Sequence, residues 1–105
     1  MSPFDSYNFR SHHAFAIAHF SRQQYKDAVN AAQKAIDYNP RFSAGHAYLA
    51  AALLRDGRAA DAKSSARDVL QLEPTFTIRG LQGAELEPTV FQSFANAWRE
   101  LELPE

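Results

Sequence analysis

The chain has 105 residues, 46% of them hydrophobic, and a formal net charge of −1 from 11 basic and 12 acidic side chains. That is the size of one small domain, and the near balance of charge is unlike the basic excess of a nucleic-acid or anionic-membrane binder. There is no cysteine, which excludes disulfides, thiolate metal sites and a cysteine nucleophile.

The N-terminal stretch has no basic region followed by an apolar one, so no secretory signal is visible and a cytoplasmic home is expected. Helical spacing of Phe9, Ala16, Ile17 and Phe20 predicts a first helix from Tyr7 to about Ser21. Arg22-Gln23-Gln24 reads as a turn. Tyr25, Ala28, Val29, Ala32, Ala35 and Ile36 make the stripe of a second helix, Tyr25 to Tyr38. Pro40 stops it, and Asn39 before the proline is biased away from helix. Ser43 is expected to cap a third helix running to Arg55. This segment holds the longest apolar run, the eight residues Ala47 to Leu54. A membrane span needs ~20.

Gly57 permits a tight turn into a fourth helix, Ala59 to Leu72, stopped by Pro74. Such short turns make antiparallel neighbours. Residues 77–86 read as a connector with Gly80 and Gly83. Pro88 then marks a helix start. Val90, Phe91, Phe94, Trp98 and Leu101 lie on one face of a terminal helix over 87–101. A stack of hairpins needs such a helix to shield its last apolar face.

The chain repeats itself at an offset of 34 residues. The offset pairs His12 with His46, Ala16 with Ala50, Ala18 with Ala52 and Asp27 with Asp61. It also pairs Ala28 with Ala62, Ala32 with Ala66, Pro40 with Pro74 and Phe42 with Phe76. These are eight identities, where the composition predicts about two by chance. Alanines at 16, 28, 50 and 62 let paired helix axes approach closely.

This pattern resembles the tetratricopeptide repeat family. If Pro40 and Pro74 are its closing prolines, the repeats run over 9–42 and 43–76. The family's small residues then fall on Ala16, Ala28, Ala50 and Ala62, its turn-flanking aromatic on Tyr25, and its first-helix leucine on Phe15 and Leu49. His12 and His46 depart from the early tryptophan, His19 and Leu53 from the usual aromatic, and Val69 from a late alanine. The resemblance implies one all-α domain over 1–105: a right-handed α-hairpin superhelix of two repeats with a capping helix. The ending, Trp98 to Glu105, also looks like the tail of bacterial proteins that fuse class III adenylate/guanylate cyclase domains to such repeats. That tail commonly reads Gly-Leu-Pro-Glu. Here Leu103-Pro104-Glu105 is kept and Glu102 replaces the glycine. On this likeness the chain is a C-terminal piece of a larger protein. None of the cyclase catalytic residues can be carried over.

Chemistry-bearing constellations are sparse. His12 and His19 sit two helical turns apart, too far to share one ion. With His46 they read as packing residues. There is no glycine-rich phosphate loop and no Gly-x-Ser-x-Gly element. The acid pairs Glu85/Glu87 and Glu100/Glu102 are two apart and point different ways on a helix. Arg55, Arg58, Lys63 and Arg67 are interleaved with acids and read as a solvated face. No enzyme, cofactor or metal is expected.

The resemblance implies instead a concave groove made by the first helices of the two repeats. Projected onto this chain, it is lined by Arg10, His13, Ile17, Phe20, Ala47, Ala51, Leu54 and Arg55. His13, Ile17, Ala47 and Ala51 stand where some relatives clamp a carboxylate with lysines and asparagines, so that clamp is not expected. The small apolar lining suits a helix or extended peptide. The expected function is a non-catalytic protein-interaction module, contacting its partner through Ile17, Phe20 and Leu54 with Arg10 and Arg55 at the ends. The alternative is self-association, as a homodimer or a regulatory C-terminal domain of a signalling protein.

Overall fold

A computed structural model describes residues 9–82 and 86–105. The helix start at Tyr7, Gly83 of the connector and the acid Glu85 lie outside the described residues. Five α-helices follow in order: α1 (Phe9–Ser21), α2 (Tyr25–Tyr38), α3 (Ser43–Arg55), α4 (Ala59–Leu72) and α5 (Pro88–Glu100). A 3-10 turn (Arg79–Leu81) interrupts the connector. No strand occurs among the described residues. The helix bounds of α2, α3 and α4 agree with the spacing and breaker residues.

The helices pair as hairpins, α1 with α2 and α3 with α4, and α2 packs on α3. Alanine explains the closeness within each hairpin. Ala16, Ala28, Ala50 and Ala62 are all at most 3% exposed. Larger side chains there would push the axes apart. The largest fully buried side chains are Trp98, Tyr48, Phe94, Ile78 and Val69, so the core runs from the hairpins into α5.

Three helices end in the same way. The N–H of Gln24 donates to the His19 carbonyl, that of Arg58 to Leu53 and that of Leu103 to Trp98. Each bond closes a helix C-terminus around a residue in the left-handed region. Those residues are Gln23 (φ 61°), Gly57 (φ 84°) and Glu102 (φ 62°). Only Gly57 adopts that conformation without a Cβ penalty.

The start of α3 differs from expectation. Phe42, not Ser43, occupies the cap position, with no side-chain cap bond. The Ser43 hydroxyl donates to Glu73 at the far end of the same hairpin. The start of α5 has a true side-chain cap. Glu87 accepts from the N–H groups of Thr89 and Val90, and Pro88 fills the first helical position, where no N–H is needed. The Thr89 backbone hydrogen bond holds the Glu87 carboxyl below its ordinary 4.5.

Candidate functional site

Of the eight expected groove residues, Phe20, Ala47 and Arg55 meet α5, whereas Arg10 and His13 line a separate pocket with Phe9 and Phe42. Phe94 stacks on Phe20 with ring centroids 3.9 Å apart and planes 17° from parallel. Tyr48 meets Phe94 edge-on at 4.7 Å and Trp98 at 5.6 Å. The Trp98 indole Nε1 donates to the Ala47 carbonyl at 2.7 Å in a buried hydrogen bond. Ala47 and Ala51 are 0% exposed. At the far end, Arg55 pairs with Glu100 at 2.6 Å. That bond holds the Glu100 carboxyl below its ordinary 4.5.

The eight expected groove residues differ in exposure. His13, Phe20, Ala47 and Ala51 are buried, and Ile17, Leu54 and Arg55 are half-buried. Arg10 alone of the eight is exposed. His13 presents its ring edge-on to Tyr48 at 4.7 Å and to Phe42 at 5.1 Å. The aromatic face of α5 accounts for part of this burial: it packs chiefly on α3 and reaches the end of α1 through the Phe94–Phe20 stack. Its Phe91, Phe94 and Trp98 are all 4% exposed or less.

The C-terminal tail secures α5. Leu103 is buried at 5% exposure. The Ile78 and Arg79 N–H groups donate to the carbonyls of Pro104 and Glu105. Arg99 pairs with the Glu105 carboxylate at 2.9 Å. Sequence reasoning missed this role of the connector. Its signal was the apolar residues Ile78, Leu81 and Leu86 in a segment read as a loop.

The histidines are held by local contacts. His12 stacks on Tyr38 at 5.5 Å. His19 bonds Gln24 Oε1 through Nδ1 at 2.9 Å, and His46 Nε2 donates to the Pro40 carbonyl at 2.8 Å. Among the described residues no three His, Asp or Glu side chains gather as a metal site. The four basic residues do not act as one face. Arg55 pairs with Glu100 and Arg58 with Asp56.

Lys63 and Arg67 instead edge a slot of about 280 Å³ between α4 and the turn after α5. Ala66, Leu70, Leu101 and Leu103 form its apolar floor, and Glu100 and Glu102 its other wall.

The fold is therefore that of an all-helical protein built from packed helix hairpins. No family model, curated protein or solved structure matches the chain. Among the described residues no helix is long and apolar enough to cross a membrane.

Proposed function

We propose that this chain is a non-catalytic, tetratricopeptide-like interaction module whose first-helix face accepts an amphipathic helix. The observation that carries the reading is α5 itself. It is remote in sequence from the face, yet is seated there by an aromatic stack, an indole-to-carbonyl bond and an ion pair. Such contacts belong to helix-in-groove recognition. The matching partner helix carries aromatics four apart, as Phe94 and Trp98 are, and an acid two residues later, as Glu100 is. Because α5 is tethered, it competes at an effective concentration of roughly millimolar, and a partner must exceed it.

The test uses a labelled peptide of residues 86–105 as the probe. It is titrated into the full chain and into a Phe94→Ala/Trp98→Ala variant whose own α5 is weakened. Saturable binding to the double variant, and weaker binding to the wild type, is expected. A double variant that keeps the helix content of the α1–α4 hairpins but binds no peptide removes the reading.

A second reading is a regulatory C-terminal domain of a larger signalling protein such as a nucleotide cyclase. One observation favours it. Glu102 adopts φ 62° at the very position where the resembling tails have glycine. A native coding sequence that places no enzymatic domain ahead of these helices would contradict it.

A further inference from the structure

The slot beside α4 is separate from the first-helix face, so each can fail without the other. Three observations bear on it. The first is its place in the repeat. At the 34-residue offset, Lys63, Arg67 and Leu70 stand where α2 has Val29, Gln33 and Ile36. In α2 those positions receive α3. Leu49 and Leu53 share a cleft with Val29 and Gln33, and a Cβ built on Gly45 would lie 3.5 Å from Ile36. The slot is thus a helix seat, only partly filled by Leu101 and Leu103.

The second observation is unbalanced charge. Lys63 and Arg67 are one turn apart, a like-charge spacing that weakens a helix. Neither forms an ion pair among the described residues, and neither does Glu102. The third is symmetry. The walls carry opposite signs, Lys63 and Arg67 on α4 and Glu102 after α5, Glu100 being already paired with Arg55. A second copy turned about a two-fold axis along the slot brings its acid to these cations and its cations to this acid. An isologous contact has that reciprocity.

We propose that a second copy of this chain docks on the slot. Arg67 and Lys63 of each copy face Glu102 of the other, and Leu70 and Leu101 meet between them. The slot is small, so the dimer lies at the weak end of specific interfaces. Its exposed ion pairs make it salt-sensitive.

Molar mass by sedimentation equilibrium tests this, from micromolar to near-millimolar protein, at low and high salt. The mass is expected to rise toward two copies at low salt, with a dissociation constant at least tenfold higher at high salt. Arg67→Glu and Glu102→Arg each alter an exposed side chain, and circular dichroism checks their folding. Each variant alone is expected to stay monomeric, since like charges then meet across the axis. An equal mixture of the two is expected to dimerise, because every facing pair is again opposite in sign. A wild type that stays monomeric throughout overturns the proposal. So does a single variant that dimerises like the wild type, or a mixture that stays monomeric.

Discussion

Trp98 and Ala47 are joined by a buried hydrogen bond of 2.7 Å, from the indole nitrogen to a carbonyl of α3. Ala47 is fully buried, so the bond ties a buried position of α3 to the largest residue of α5. It fixes α5 on α3.

Replacing Trp98 with alanine is expected to cost about 3–5 kcal/mol, the range for truncating a large buried aromatic. Trp98→Phe is expected to cost less, because it keeps most of the apolar volume and loses chiefly the hydrogen bond, worth ~1 kcal/mol. Urea denaturation followed by circular dichroism measures both. Equal stability of the wild type and Trp98→Ala would mean that α5 is not part of the core.

The left-handed turn residues make a second set. Gln23 and Glu102 occupy the conformation that Gly57 adopts freely. Gln23→Gly and Glu102→Gly are each expected to stabilise by roughly 0.5–1 kcal/mol, and Gly57→Ala to destabilise by about as much. Thermal midpoints report the sign. A lower midpoint for Gln23→Gly would show that its side chain contributes more than the strain costs.

Within the hairpins, Ala28→Leu and Ala62→Leu are each expected to destabilise by about 1–3 kcal/mol through overpacking. Both sites are 1% exposed or less. Chemical denaturation midpoints check this. A neutral effect at either site would mean that its hairpin is looser than described.

Acid should weaken the seat of α5. The Thr89 backbone bond lowers the Glu87 carboxyl below 4.5, and the Arg55 bond does the same for Glu100. Both groups are harder to protonate folded than unfolded. Their stabilisation is therefore present above the unfolded value and is lost as pH falls from about 4.5 through the folded values. Thermal midpoints measured from neutral to acidic pH should fall less for Glu87→Gln than for the wild type over that window. Parallel curves would contradict the capping role.

Much of the fold was legible in the residues. Pro40, Pro74 and Gly57 bound α2, α3 and α4, and the alanine pairs mark the hairpin contacts. The placement of α5 was not legible. Spacing of Phe91, Phe94 and Trp98 tells which side of a helix is apolar, not which neighbour covers it. An end cap on the last hairpin and an occupant of the first-helix face require the same pattern. The strained turn at Gln23 was within reach, since the 34-residue offset maps it onto Gly57. Ser43 failed as a cap because a side chain that can bond its own backbone can also bond a distant carboxylate.

The central feature of the fold is the seat of α5 on α3, with Phe94 stacked on Phe20 of α1. Trp98 is the only tryptophan and is 0% exposed, so its fluorescence reports on that seat alone. The most direct measurement is acrylamide quenching of the folded chain beside the chain unfolded in urea. Blue-shifted emission that resists the quencher until unfolding is expected. Emission and quenching like those of a free indole, in a chain with full helix content, would mean that the face is open and α5 lies elsewhere.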